Sequence, residues 1–171
     1  MEPMAVADTG VTSGDVTSGY ADEERPLASY AALAGTFVAA GGLALLLVER
    51  GPGLPRRIGA SDLVLIGIAT HKLARLVAKD KITSFLRAPF ARYQGPGAPG
   101  EVEEEARGHG LRLALGELLT CPYCLGPWVS AGFLFGLVQW PRPTRVAASA
   151  LVVLTIADFL QVAYKAADER A

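Results

Sequence analysis

Apolar side chains in this chain collect in blocks of helix length, separated by stretches of charge, glycine and proline. That is the pattern of helices in lipid joined by hydrated loops. Ala28 to Val48 runs about 21 residues without a charge, and a rise of about 1.5 Å per residue carries such a segment across a hydrocarbon core about 30 Å thick. The following Glu49-Arg50-Gly-Pro-Gly-Leu-Pro-Arg56-Arg57 ends it, since Gly and Pro do not continue a helix. A second block, residues 60–78, opens on Ser61 or Asp62 as a cap and is apolar from Leu63 to Thr70. Its continuation carries His71, Lys72 and Arg75, so it either spans with its cationic half against protein or headgroups, or lies in the interface.

Residues 79–120 read as a cytoplasmic stretch. Within it Ile82, Phe85, Leu86 and Phe90 fall on one helical face opposite Lys81, Arg87 and Arg92, which predicts a surface-lying amphipathic helix. Gln94 to Gly100 is a Gly/Pro loop, and Glu101, Glu103, Glu104 and Glu105 form an acidic run expected to be solvated. Two further spans follow at 121–140 and 146–164, with a short charged tail at 165–171. Residues 1–27 are acidic and rich in small side chains; they predict a disordered tail, retained because it lacks the basic start of a cleavable signal. The fold class expected is an all-α integral membrane protein with three to four transmembrane helices plus the cytoplasmic amphipathic helix.

Composition sharpens this picture. Mean hydropathy is +0.31 and the formal net charge is −1, so no global field draws the chain to nucleic acid, and the bilayer is the expected partner. Ala31/Gly35/Ala39 and Gly132/Gly136 make small-residue ridges that would let a partner helix, or a second copy, approach closely. Trp128 and Trp140 lie toward the ends of the third span. Counting Lys and Arg by side gives 13 to 3 for three spans with the N-terminus outside, and 11 to 5 for four spans with it inside; the positive-inside rule favours three. Either way the loop before Cys121 faces the cytoplasm. Heavy use of Ala, Gly, Val, Leu and Arg suggests a bacterial chain, hence the inner (plasma) membrane.

Chemistry-bearing residues are few. Cys121-Pro-Tyr-Cys124 is the whole thiol inventory, placed where a helix begins, so that free N–H groups and the helix dipole would favour a thiolate. The same tetrapeptide occurs at glutaredoxin active sites, but no alternating strand–helix pattern surrounds it here. His71 and His109 are the two histidines that could complete a Cys2His2 zinc site. Asp158 sits inside an apolar span and should find a cation, with Arg75, Lys72 and His71 the candidates.

Taken together, Thr70-His-Lys-Leu-Ala-Arg75, Asp80-Lys-Ile, Arg87 and Cys121-Pro-Tyr-Cys-Leu-Gly-Pro-Trp128 resemble a bacterial and phage membrane family, domain of unknown function 1360, over about residues 60–165. The resemblance implies that Arg75, Asp80, Arg87, Cys121, Cys124, Gly126 and Trp128 are that family's characteristic positions. It implies no activity. The residues contain no phosphate loop, no nucleophile with a base and no zincin helix. The expectation is therefore a non-enzymatic membrane anchor or scaffold for a partner, without a cofactor. The alternative is a thiol-disulfide switch, oxidoreductase or metal site at Cys121 and Cys124.

Overall fold

The computed structural model describes residues 25–170; the expected tail up to residue 24 lies outside them. Helix covers 74% of the described residues. In chain order the elements are α1 (Leu27–Arg50), α2 (Ala60–Lys79), a 3-10 turn (Lys81–Thr83), α3 (Ser84–Arg87), β1 (Ala91–Pro96), β2 (Val102–Ala106), α4 (Gly110–Thr120), α5 (Pro122–Gln139) and α6 (Pro141–Asp168). Helices α1 and α6 are each long and apolar enough to cross a membrane, and α4 with α5 makes a third span only if the pair, bent by 81°, is counted as one.

Four helices run side by side. Arg25 and Tyr30 at the start of α1 reach Glu117 at the end of α4. Phe37 packs edge-on against Trp128 of α5 at 5.0 Å, and a Cβ on Gly51, just past α1, would lie 3.5 Å from Gln139. So α1 and α5 point the same way. Helix α2 runs back between α5 and α6, its Arg145–Asp62 pair at one end (2.8 Å) and its Lys72–Asp158 pair toward the other (2.6 Å). Its buried positions are mostly small: Ala69, Ala74 and Ala78, with Ile66. Small side chains let α5 and α6 close on it, giving two apolar clusters. One gathers Ile66, Ala69 and Ala148, and the other Ala74, Ala78 and Leu125.

Arg25 lies beside Glu117, at the end where α2 finishes and α6 delivers its C-terminus, so both chain ends described here share one end of the bundle. Eleven of the 16 Lys and Arg lie toward that end of the bundle and five toward the other.

The all-α expectation holds in part: the chain is mostly helical, but the stretch between α2 and α4 forms a small two-stranded sheet. Residues read as an amphipathic helix form only one 3-10 turn and one α-turn before Pro89. The Gly/Pro loop and the acidic run then form an antiparallel hairpin, with Arg92 opposite Glu105 and Tyr93 opposite Glu104. Its turn is closed by Gly97 N–H to the Glu101 carbonyl (3.2 Å) and uses Gly100 at φ +85°, a conformation that favours glycine. Helix α4 lies across this hairpin instead of leading straight into α5. Residues 141–145, left between the two expected spans, are the first turn of α6; Pro141 at its start needs no N–H partner there.

Contact between α4 and the hairpin depends on Gly116. A Cβ there would stand 2.6 Å from the Phe90 carbonyl oxygen and 2.9 Å from the Ala106 Cβ, whereas one on Gly132 would meet nothing within 4 Å. Gly116→Val should therefore destabilise the protein by about 1–3 kcal/mol, and Gly132→Ala should leave it within about 1 kcal/mol of the parent, both measured by thermal unfolding in detergent.

Candidate functional site

Helix α2 ends with carbonyl groups that no further turn can satisfy. Arg87 supplies the donors. Its guanidinium is fully buried, at 0% exposure. It donates to the carbonyl of Val77 (2.5 Å), the hydroxyl of Thr83 (2.8 Å), the carbonyl of Asp80 (3.0 Å) and the hydroxyl of Ser84 (3.3 Å), and its Nε donates to Glu104. An arginine has five N–H donors, and each has a partner. Thr83 in turn donates to the Leu76 carbonyl at 2.6 Å. A cation placed at a helix C-terminus is also favoured by the helix dipole. Arg87 thus fastens α2, the turn after it and β2 together. The sequence-level assignment of Arg87 to a polar outer face is corrected: five fixed acceptors outweigh the amphipathic period.

The acidic run is engaged rather than merely solvated. Glu101 takes a two-pronged bond from Arg75 (2.6 and 2.9 Å), Glu103 pairs with Lys79 (3.0 Å), Glu104 with Arg87, and Glu105 accepts from Gln94 (2.6 Å). From the other side Arg107 donates to the Ala88 carbonyl (2.7 Å) and Arg112 to that of Pro89 (3.0 and 2.7 Å). Arg75, Asp80 and Arg87, three positions singled out in the sequence, therefore converge on one cap of residues 80–112. Half-buried Asp80 bridges to Glu101 through the backbone. Burial pushes its carboxyl above the ordinary carboxylate range; Glu101 and Asp158 add to this, and Lys72 and Arg87 oppose it. Asp158 has found Lys72, one of its three expected partners. His71 and Arg75 line the same recess of about 300 Å3.

The other marked residues lie where α4 meets α5. Cys121 caps α5 with extended backbone, its Sγ accepting the Cys124 N–H at 3.2 Å. Both thiols are free and open into a crevice of about 880 Å3 with Tyr30 and Glu117. Trp128 packs on Phe37. Gly126 has open space where a side chain would be. His109 is exposed at the start of α4, and neither histidine lines the thiol crevice. Among the described residues no three His, Cys, Asp or Glu side chains are grouped to hold a metal. The Cys2His2 arithmetic is not realised.

A family described as protein of unknown function (DUF1360) matches residues 65–164. The chain belongs to this family. Its match takes in most of α2, the whole cap, α4, α5 and nearly all of α6, and leaves α1 outside. The DUF1360 chain is similar to the sporulation protein YjcA of Bacillus subtilis (strain 168), at 39% identity over 80 residues, 45% of this chain and 67% of that one. It is also similar to the UPF0713 protein YngL of the same strain, at 28% identity over 102 residues, 59% and 74% of the two chains. No solved structure matches it.

Gly116, Glu101 and Glu104 are parts of the cap that sequence reasoning missed. Arg87→Ala would strand Glu104 and the Val77 carbonyl in the interior and should cost about 3–5 kcal/mol, while Arg87→Met with Glu104→Leu should recover most of that loss; thermal unfolding in detergent measures both. Asp80 contributes with a definite sign. Its folded carboxyl holds its proton more tightly than in the unfolded chain, so its contribution to stability is full below the ordinary carboxylate range and is lost as pH rises through the raised value. Asp80→Asn should accordingly stabilise the protein at pH 7 and make no difference near pH 3, as read from unfolding curves at the two pH values.

Proposed function

We propose that this protein is a multi-pass helical protein of the bacterial plasma membrane that crosses four times, with both termini and the 80–112 cap in the cytoplasm, and that it anchors a protein partner there. Support for insertion comes from the outward faces of the bundle. Val38, Leu43, Leu45, Val153, Phe159 and Val162 are all exposed, a surface that water does not tolerate at this extent and lipid does. Helix α2 has 20 residues, about 30 Å of length, and its cations lie at the cap end. Arg50, Arg56, Arg57, Arg142 and Arg145 are the five of 16 Lys and Arg at the opposite end, which supports a cytoplasmic cap. Ile82 and Phe85 are exposed on the cap beside Lys81, suited to resting in the headgroup layer.

The observation that carries the anchoring reading is the rigid mounting of the cap: Arg75 grips Glu101, just before β2, and Lys79 and Arg87 grip Glu103 and Glu104 within it. Such a fixed surface presents outward side chains without an ordering cost at the moment of binding. One relative is named for sporulation, and we carry that process over as the setting in which a partner is to be sought. Photo-crosslinking residues placed at Tyr93, on the exposed strand, and at Phe159, on the bundle, give the test. Tyr93 should trap a cytoplasmic protein and Phe159 lipid alone. Absence of any protein adduct at Tyr93, self-association included, or an adduct from the extracytoplasmic side, would overturn the reading.

A further inference from the structure

The dithiol at the α4–α5 junction takes no part in the anchoring described above, and its surroundings suit a reaction. Cys121 and Cys124 lie outside both apolar clusters; the core contact of this turn is made by the neighbouring Leu125, against Ala74 and Ala78. Cys121 is partly exposed and Cys124 exposed. Their three-residue spacing at the start of a helix sets them side by side on one face, the neighbourhood in which a disulfide can close. The crevice they share is open, about 880 Å3, and is lined by Leu33, Leu113 and Leu118 together with Tyr30 and Glu117. It lies at the same end of the bundle as the cap.

We propose that Cys121 and Cys124 form a redox dithiol that reduces an incoming disulfide, of a protein or a low-molecular-weight thiol, by thiol–disulfide exchange. Cys121 is the attacking group. The Cys124 amide donates to its sulfur at 3.2 Å, so charge on that sulfur, first as nucleophile and then as leaving group, meets a fixed donor at the positive end of an 18-residue helix. Cys121 gives its proton to water and its thiolate attacks one sulfur of R–S–S–R; that bond breaks, a Cys121–R mixed disulfide forms, and the first R–S⁻ takes a proton from water. Cys124 then gives its proton to water and attacks the Cys121 sulfur, displacing the second R–S⁻, which is protonated in turn. The protein loses two electrons and two protons, and the incoming disulfide gains them as two thiols.

The full chain in lipid nanodiscs, titrated with reduced and oxidised glutathione, tests this. As the oxidised share rises, both thiols should become unreactive to maleimide together, with loss of two hydrogens by mass and no added glutathione. Cys124→Ser should accumulate a glutathione adduct on Cys121, and should do so several-fold faster than Cys121→Ser forms one on Cys124. Two independent single adducts, or thiols that stay free throughout, would overturn the redox proposal; faster adduct formation in Cys121→Ser would overturn the assignment of the attacking sulfur. Unchanged thermal unfolding of both serine variants confirms that the comparison is made on folded protein. A failure here leaves the anchoring reading untouched, because that reading rests on the cap and not on the thiols.

Discussion

One guanidinium holds the cap end of this fold together. Arg87 is wholly enclosed, and burying an unpaired charge would cost several kcal/mol. What makes it tolerable is that its five N–H groups meet two backbone carbonyls, two hydroxyls and one carboxylate. The same bonds settle three other problems. The last turn of α2 gains donors for carbonyls it cannot satisfy itself; the chain after it is turned through Asp80 and Thr83; and the single residue Glu104 ties β2 down at that point. Pairing then propagates outward. Arg75 with Glu101 and Lys79 with Glu103 extend the seam on either side, more exposed and individually weaker, but in register because Arg87 has already fixed the hairpin.

The bundle obeys a different constraint. Helices approach closely only where their facing side chains are small, so its packing has to come from shape. Helix α2 supplies it with Ala69, Ala74 and Ala78, each buried to 2% exposure or less. That helix carries too many cations to resemble a membrane span by hydropathy alone, yet it is the one around which α5 and α6 assemble. Its cations pose no conflict, because Lys72 meets Asp158 and Arg75 meets Glu101. By contrast the exposed ridges predicted for association are hardly used within the chain. Gly136 comes close to Thr144, but Gly35 and Gly132 face open space.

These differences explain what could be read from the residues. Long uncharged runs specify their own helices, so α1 and α5 were legible nearly to their ends and α6 through its middle, as was the need of Asp158 for a cation. The family resemblance singled out Arg75, Asp80 and Arg87, without indicating that they meet. The hairpin was not legible. Its second strand, Val102-Glu-Glu-Glu-Ala106, shows no alternation of apolar and polar residues, because its glutamates are held by cations more than ten residues away in sequence. Arg87 misled for the same reason. Helical periodicity places a charge outward unless something inside can bind it, and the acceptors lie partly in the preceding helix. Gly116 gave no signal at all, since a glycine reveals a close approach only when the approaching chain is known.

The cap and the thiol turn are separate in chemistry but joined in structure. Leu125, the residue after Cys124, packs on Ala74 and Ala78, with Leu118, Leu119 and Val129 around them. Those alanines belong to the last turns of α2, whose final carbonyls Arg87 caps. Helix α4, which delivers Cys121, rests its Gly116 against the Phe90 carbonyl of the segment that Arg107 and Arg112 hold. Cys121 is therefore positioned from two directions, by the end of α2 below α5 and by the hairpin beneath α4. Its backbone stays extended between two helices that meet at 81°. A continuous helix through this point would use the Cys124 N–H on a carbonyl four residues back. The break frees that N–H for the carbonyl and sulfur of Cys121, and so the packing that seats the cap also gives this turn its polar character.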